Sequence, residues 1–126
     1  MRRLALGFLL AGCAHVAPPP GKPELDGPRL RFIYPRNGDT LSGLVQVAVE
    51  AWDTSGVALV KLSADGEELG SDSAEPFVFW WRTDTLYDQA HTLRAEAFDR
   101  WDNESSASIK VFTRNGNEPP EEKRKR

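Results

Sequence analysis

Residues 60–69 read Val60-Lys61-Leu62-Ser63-Ala64-Asp65-Gly66-Glu67-Glu68-Leu69, and this stretch decides the fold of the chain. Its first five residues alternate apolar and polar side chains, which is the period of a strand with one buried face. Asp-Gly is a preferred sequence for a two-residue hairpin turn, because both residue types tolerate positive φ angles. The stretch therefore predicts two antiparallel strands joined by a tight turn.

The same alternation recurs between residues 30 and 112, and no stretch shows a helical period of useful length. The seven predicted strands cover residues 29–34, 45–50, 60–64, 67–69, 77–82, 92–97 and 107–112. Short strands at a spacing of about ten residues, separated by turn residues, are typical of a β-sandwich. The apolar phase of residues 77–82 places Trp81 in the core and Trp80 outside. The sequence predicts an all-β, seven-stranded antiparallel immunoglobulin-like sandwich with Greek-key connections.

The composition limits the classes of partner. The chain has 16 basic and 19 acidic side chains, and its formal charge is −3. Nucleic-acid binding needs a dominant basic surface, so this balance argues against a nucleic-acid partner. The chain has a single cysteine, so it cannot form an intramolecular disulfide. The domain must therefore be held together by its apolar core, although an exported protein could carry disulfides.

The N-terminal residues predict export and attachment to a membrane. Arg2 and Arg3 precede a short apolar run, and small residues precede Cys13, as in a secretory signal. The sequence Leu10-Ala11-Gly12-Cys13 resembles the lipobox of bacterial lipoproteins. The resemblance implies cleavage between Gly12 and Cys13, a diacylglycerol thioether on Cys13 and acylation of the new amino end. A plain secretory signal is the alternative interpretation.

The segments on either side of the predicted domain have the composition of a tether and a tail. Ala14 rather than aspartate follows the cysteine, and by resemblance to the best-studied lipoprotein sorting rule this favours the outer membrane or cell surface. Residues 14–28 contain five prolines and two glycines, which predicts a partly extended tether. The predicted organisation is a signal at residues 1–12, lipidated cysteine and tether at 13–28, Ig-like domain at 29–114 and disordered charged tail at 115–126.

The turns and strand edges of residues 30–114 resemble those of bacterial immunoglobulin-like domains. The matching stretches are residues 34–38, 41–43, 51–57, 60–66, 76–81, 91–93 and 97–103. The resemblance implies a seven-stranded sandwich with a non-catalytic role as spacer, adhesive or binding module. The chain departs from the family pattern at Asp102, where glycine usually precedes Asn103. It also departs at Trp52, Trp80 and Trp101, where small or polar residues are usual.

No motif suggests catalysis. The chain has two histidines, His15 in the tether and His91 at the start of a strand, and it lacks a Gly-x-Ser-x-Gly nucleophile motif. The family resemblance implies that His91 hydrogen-bonds the neighbouring turn. We therefore expect a protein that is not an enzyme and that needs no resident cofactor.

Calcium is the one metal that the sequence leaves open. Paired cysteines or histidines with transition-metal spacing are absent from the sequence. Asp53, Asp72, Asp99 and Asp102 follow strands whose ends are expected at one pole of the sandwich. Carboxylate and carbonyl oxygens are the ligands that calcium prefers, so these four residues are the candidate ligands. The competing interpretation is that Asp53 and Asp99 cap tight turns through their own backbone.

Trp52, Trp80 and Trp101 form the candidate ligand face. Exposed aromatic rings beside polar residues can hold sugar rings or protein partners, because they offer a large contact area at little cost in entropy. In the competing interpretation Trp52 and Trp101 pack on each other. The sequence thus predicts a membrane-anchored lipoprotein whose single non-catalytic module binds an envelope protein or polysaccharide. The alternatives are a passive spacer of the envelope and a calcium-stabilised adhesion module.

Overall fold

The computed structural model describes residues 26–120 of the chain. The strands are β1 (Arg29–Tyr34), β2 (Thr40–Leu41), β3 (Leu44–Trp52), β4 (Val57–Ala64), β5 (Glu67–Asp72), β6 (Phe77–Arg82), β7 (Ala90–Asp99) and β8 (Glu104–Thr113). In this part of the chain no helix is long and apolar enough to cross a bilayer. The predicted signal, Gly12, Cys13 and most of the predicted tether lie outside the described residues, as does the basic end of the tail.

The strands form two sheets that pack face to face. One sheet has three strands in the order β1-β3-β6, and the other has five in the order β2-β8-β7-β4-β5. The chain crosses between the sheets in the β1–β2, β2–β3, β3–β4, β5–β6 and β6–β7 connections. Repeated crossing of this kind is the pattern of Greek-key sandwiches. The predicted all-β immunoglobulin-like sandwich is therefore confirmed.

The structure has eight strands rather than the seven that the sequence predicts. The additional strand is β2, which has two residues and runs parallel to β8, whereas the other strand pairs are antiparallel. It is fixed by backbone hydrogen bonds from Phe112 to Asp39 (2.8 Å) and from Arg114 to Leu41 (2.9 Å). Two residues are too few to show a period of two, so this strand leaves no signal in the sequence.

The core is built from the inward-facing residues of both sheets. Its most completely buried apolar side chains are Val47, Val60, Leu62, Leu93 and Val111. Trp81 is 4% exposed and Trp80 is 59% exposed, so the predicted phase of β6 is confirmed. The buried ring of His91 meets the Trp81 indole edge-on, with ring centroids 5.5 Å apart. These side chains pack together between the two sheets and form the core.

The predicted phase of β1 is wrong at its end. The alternation groups Tyr34 with the inward residues Leu30 and Phe32, but the Tyr34 side chain is 46% exposed. The cause is a register shift between Phe32 and Tyr34, which pairs Tyr34 with Ala48. Because directly opposed residues of an antiparallel pair point to the same face, Tyr34 points outward with Ala48.

The predicted hairpin turn lies between β4 and β5. Asp65 and Gly66 have φ angles of 52° and 88°, as a two-residue turn with two left-handed positions requires. Asp65 accepts hydrogen bonds from the Thr92 backbone N–H (2.9 Å) and from His91 Nδ1 (2.6 Å). The expectation that His91 bonds to a neighbouring turn is therefore confirmed.

Strand directions define two poles of the sandwich. The N-terminal pole holds the start of β1 and the β3–β4 and β7–β8 loops, and the C-terminal pole holds the end of β8 and the β6–β7 loop. Hydrogen-bonded structure continues past residue 114, where the sequence predicts the tail to begin. Asn115 Oδ1 accepts the N–H of Gly43 at 2.8 Å, and Asn117 Nδ2 donates to the carbonyl of Leu86 at 2.9 Å. These asparagines close the C-terminal pole.

Candidate binding face on the three-stranded sheet

The outer side of the three-stranded sheet is rich in exposed apolar side chains. Seven large apolar residues are exposed in residues 26–120, and five of them lie on this sheet. We call these five residues the aromatic face: Ile33, Tyr34, Leu44, Trp52 and Trp80. Scattered single apolar residues are normal on a protein surface, whereas a group on one sheet face marks a candidate contact surface.

Strand register explains why Trp52 and Trp80 share this face. Trp80 lies directly opposite Gln46 of β3, so both side chains point outward. Trp52 follows Gln46 by six residues on the same strand, and an even spacing keeps the outward direction. At about 3.4 Å per residue, the two tryptophan positions are about 20 Å apart along the strand. A ligand that contacts both must therefore be extended.

A groove of about 510 Å³ lies at the Trp52 end of the aromatic face. β3 pairs with β6 only as far as Val49 and Phe77. The last three residues of β3 therefore extend beyond the start of β6 and have no paired strand on that side. The walls of the groove are formed by Ile33, Trp52, Pro76 and Val78, together with the carboxylate residues Glu50 and Glu75. The groove thus combines one indole ring with apolar walls and two carboxylate-bearing residues.

The charges on this side of the sheet are largely paired with one another. Arg31 Nε lies 2.7 Å from Glu50 Oε1, and Arg82 Nη1 lies 3.2 Å from Asp84 Oδ2. These side chains are exposed, so the pairs add little to stability. They do reduce the net charge that a ligand on the aromatic face would meet.

The third tryptophan of the predicted ligand face lies elsewhere. Trp101 belongs to the β7–β8 loop of the five-stranded sheet, at the same pole as Trp52, and is half-buried. Its backbone N–H donates to Asp99 Oδ1 at 2.8 Å, and its indole Nε1 is buried without a hydrogen-bond partner. Within the described residues, Trp101 makes no ring contact with Trp52. The structure therefore brings together two of the three predicted tryptophans, and it does not show the alternative stacking of Trp52 on Trp101.

Asp53 and Asp99 cap their own loops. Asp53 Oδ2 accepts the N–H and the hydroxyl of Ser55, at 3.0 and 2.7 Å. Asp99 is buried, and its carboxylate accepts the backbone N–H groups of Trp101 and Asn103 and the side-chain amide of Asn103. These contacts match the turn-capping interpretation of the two residues.

Asp72 is the last residue of β5, and Asp102 lies in the β7–β8 loop. Asp72 Oδ1 accepts the N–H of Ala74 at 3.2 Å, in the connection that leads to β6. Asp102 is exposed and has a φ of 65°, which explains why the family usually has glycine at this position. In the described part of the chain no group of three or more histidine, cysteine, aspartate or glutamate side chains could hold a metal ion. The four predicted calcium ligands are thus not gathered into one site.

The sequence missed Ile33, Tyr34 and Leu44 as members of the candidate site. Ile33 and Leu44 are 52% and 60% exposed. Both could have been identified from the sequence, because each is an apolar residue at a position where the alternation of its strand calls for a polar one. Tyr34 joins the face only through the register shift in β1, and the groove depends on where β6 begins relative to β3.

Comparison with solved structures shows the same fold in two bacterial proteins. The chain resembles the fibronectin(III)-like modules of Clostridium thermocellum CbhA, with a TM-score of 0.64, 24% identity, and coverage of 74% of this chain and 49% of that one. It also resembles the endo-β-1,4-mannanase of Thermotoga petrophila, with a TM-score of 0.60, 18% identity, and coverage of 73% and 21%. The chain thus spans about half of the first protein and about a fifth of the second.

At these identities the likeness concerns the fold alone. No curated protein matches the sequence. Residues 28–95, which are more than half of the chain, match the family described as Bacterial Ig domain. The matched residues include β1 to β6 and the first part of β7, and with them both tryptophans of the aromatic face. The chain belongs to the bacterial Ig domain family.

Proposed function

We propose that the chain is an exported lipoprotein, anchored through Cys13, whose single Ig domain binds a ligand at the cell envelope without catalysing a reaction. Bacterial Ig domains are typically extracellular or displayed at the surface, and their fold is generally non-catalytic. The lipobox-like run that ends at Cys13 supports the anchor. The proline-rich residues that follow support a tether between the membrane and β1.

Detergent partitioning tests the anchor. The full chain and its Cys13→Ser variant are expressed in a bacterium that processes lipoproteins, and cell extracts are separated into detergent and aqueous phases. We expect the parent chain in the detergent phase and the variant in the aqueous phase, because acyl chains on one residue supply the membrane affinity. Equal partitioning of the two chains, or an aqueous parent chain, would exclude anchoring through Cys13.

The aromatic face is the observation that carries the binding function. Trp52 and Trp80 are 44% and 59% exposed, and they stand on one sheet with three further exposed apolar residues. Exposure of an indole ring to water is unfavourable, and the ring offers a large contact area to a partner. A group of such rings on one face is therefore typical of a contact surface. The groove beside Trp52 adds a concave element with apolar walls.

A neutral polysaccharide is the ligand that this face fits best. Sugar rings pack their C–H groups on indole faces, and carboxylates such as those of Glu50 and Glu75 can accept sugar hydroxyl groups. The spacing of about 20 Å between the two tryptophans suits an extended polymer. Arg31 and Arg82 beside this face are paired with carboxylates, which reduces the net charge that an ionic ligand would meet.

A sedimentation assay with insoluble mannan, cellulose and peptidoglycan tests this ligand class. We expect the full chain to sediment with at least one of these polymers. Trp52→Ala and Trp80→Ala should each weaken binding by about tenfold or more, as truncation of a central aromatic contact does. Phe112→Ala is the matched control, because Phe112 is an exposed aromatic residue on the five-stranded sheet. Its binding should equal that of the parent chain.

Two results would contradict polysaccharide binding. If none of the three polymers retains the chain, the domain is left as a spacer or as a module for a protein partner. If all three variants lose binding equally, the retention is non-specific adsorption to apolar surface. Circular dichroism of each variant checks that the sandwich is folded.

A further inference from the structure

The sandwich has four edge strands, and three of them carry features that discourage pairing with another chain. Edge strands expose unpaired backbone groups, which proteins protect by bulges, charges, proline or short length. β2 has only two residues. β1 has a register shift and the exposed residues Arg29 and Arg31. β5 has a register shift and the exposed residues Glu67 and Glu68.

The fourth edge strand, β6, is less protected than the other three. Its residues Phe77–Arg82 contain no lysine and no proline, and the strand carries a single charge. Its pairing with β3 runs through six consecutive residues without a register shift. Gly70 of β5, in the other sheet, packs against the Phe79 ring, but this side-chain contact leaves the side of β6 that faces away from β3 without a paired strand.

The direction of the free backbone groups follows from one hydrogen bond. The Thr83 N–H donates to the Gly43 carbonyl at 2.9 Å, and Thr83 continues the β6 register opposite Gly43. In an antiparallel pair, alternate residues bond to the same partner strand. Trp81, Phe79 and Phe77 therefore bond to β3, and the residues between them direct their N–H and C=O groups away from β3. These residues are Val78, Trp80 and Arg82.

The three residues that face the open edge present three donors and three acceptors. No backbone hydrogen bond from the described loops reaches Val78, Trp80 or Arg82. Their side chains are on the outer side of the sheet, so a strand that approaches this edge meets no core residue. The edge is therefore a regular, unprotected ladder of six hydrogen-bonding groups.

We propose that a second copy of this chain pairs with β6 through its own β6, in an antiparallel arrangement about a two-fold axis at Trp80. Opposed residues must point to the same face, so the two residue numbers in a pair must have an even sum. The arrangement with Trp80 opposite Trp80 of the second copy also sets Val78 opposite Arg82 in both directions. It forms six backbone hydrogen bonds and leaves none of the six edge groups unpaired.

Other symmetric registers satisfy fewer groups. Pairing centred on Phe79 sets Val78 opposite Trp80, but it sets Arg82 opposite Pro76, which has no N–H to donate. Pairing centred on Val78 sets Trp80 opposite Pro76, which has no N–H to donate. The register centred on Trp80 therefore uses the edge most completely, and it joins two three-stranded sheets into one sheet of six strands. This dimer does not depend on the proposed lipid anchor or on the proposed ligand.

Cysteine cross-linking of the full chain tests both the dimer and its register. Hydrogen-bonded residues of antiparallel strands have Cα atoms about 5.5 Å apart, which is within the range of a disulfide. Trp80→Cys should therefore give a covalent dimer under mild oxidation. Val78→Cys alone and Arg82→Cys alone should not, whereas a mixture of these two variants should. Gln46→Cys is the matched control, because Gln46 is exposed directly opposite Trp80 on β3.

The experiment is run in membranes with the natural Cys13 and repeated with Cys13→Ser, so that the outcome does not depend on whether Cys13 is lipidated. A dimer yield for Trp80→Cys that does not exceed the yield for Gln46→Cys would overturn the proposal. Cross-linking of Val78→Cys alone, without Trp80→Cys, would overturn the proposed register.

Charge variants provide a second test that keeps Trp80 in place. Val78→Lys would set a lysine opposite Arg82 of the second copy, and Val78→Glu would set a carboxylate there. Sedimentation of the Cys13→Ser chain should show a dimer for Val78→Glu and a weaker dimer, by about tenfold in dissociation constant or more, for Val78→Lys. Equal association of the two variants would contradict the predicted opposition of residues 78 and 82.

Discussion

Asp65 Oδ2 lies 2.6 Å from His91 Nδ1, so the turn between β4 and β5 is bonded to the start of β7. The other ring nitrogen of His91 lies 3.0 Å from Thr113 Oγ1 at the end of β8. One buried ring thus connects three segments of the five-stranded sheet at the C-terminal pole. Partial burial raises the pKa of Asp65, but the hydrogen bonds from His91 and Thr92 outweigh it, and the pKa lies below its usual value of 3.8.

The lowered pKa of Asp65 predicts a loss of stability in acid. The folded chain holds the Asp65 proton less tightly than the unfolded chain, so ionised Asp65 stabilises the fold above its usual pKa. This contribution is lost as the pH falls from about 4 through the folded pKa. Urea unfolding should show that Asp65→Asn is less stable than the parent chain at pH 6 and that the difference shrinks toward pH 2.

Asp102→Asn is the control for this experiment, because Asp102 also has a positive φ but lies in the β7–β8 loop at the other pole. Asparagine tolerates the left-handed conformation, so both substitutions remove a charge without adding backbone strain. A difference between Asp65→Asn and the parent chain that stays constant from pH 6 to pH 2 would contradict the role assigned to Asp65.

Truncation of the two adjacent tryptophans should change the stability of the domain by very different amounts. Trp81 is 4% exposed, and Trp81→Ala should lower the free energy of unfolding by about 3–5 kcal/mol. Trp80 is 59% exposed, and Trp80→Ala should change it by about 0.5 kcal/mol or less. Urea unfolding of the two variants measures both values. A loss below about 1 kcal/mol for Trp81→Ala would mean that this residue does not support the core.

Asp102 is a position where a substitution should stabilise the domain. Its φ of 65° is unfavourable for a residue with a Cβ atom, and glycine adopts this conformation without steric cost. Asp102→Gly should raise the free energy of unfolding by up to about 1 kcal/mol, because relief of strain exceeds the added flexibility of the unfolded chain. Asp102→Ala should lower it. Thermal melts that rank alanine above glycine would contradict the strained conformation.

Calcium should have no effect on the melting temperature. Asp53, Asp72 and Asp99 each accept hydrogen bonds from their own loops, so their carboxylates are already satisfied. Melting curves of the full chain in millimolar Ca²⁺ and in chelator should therefore coincide. A rise of several degrees in Ca²⁺ that chelator reverses would show that these loops rearrange around a cation.

The alternation of apolar and polar residues predicted most of the strands, because each of these strands is long enough to contain several apolar–polar repeats. The six residues of β6 and residues 92–97 of β7 alternate between more buried and less buried positions, as predicted. β7 is longer than predicted and runs from Ala90 to Asp99. β2 could not be predicted, because its two residues are held by hydrogen bonds to β8, seventy residues away in the chain. The outward turn of Tyr34 could not be predicted either, because a bulge is a property of the pair of strands.

The candidate site was predicted only in part, because its members depend on which strands are neighbours in the sheet. The alternation within β6 is enough to place Trp80 outside, but it cannot say which other strands share its face. That Trp52 joins Trp80 and that Trp101 does not follows from the order β1-β3-β6, which is set by long-range pairing. The turn-capping roles of Asp53 and Asp99 were open from the sequence, because aspartate after a strand suits both a cap and a calcium ligand.

The chain enters β1 at one pole and leaves β8 at the opposite pole, and this determines how the domain would carry a mechanical load. A pull on the two ends runs along the strands, at right angles to the hydrogen bonds that hold β1 and β2 in place. Four hydrogen bonds tie the segment around β2 to β8 and the residue after it. The N–H groups of Gly38, Phe112 and Arg114 donate to the carbonyls of Lys110, Asp39 and Leu41, respectively, and the Lys110 N–H donates to Asn37 Oδ1. Such a pull shears these bonds together rather than opening them one after another. The sandwich is therefore oriented to resist tension applied between its two ends.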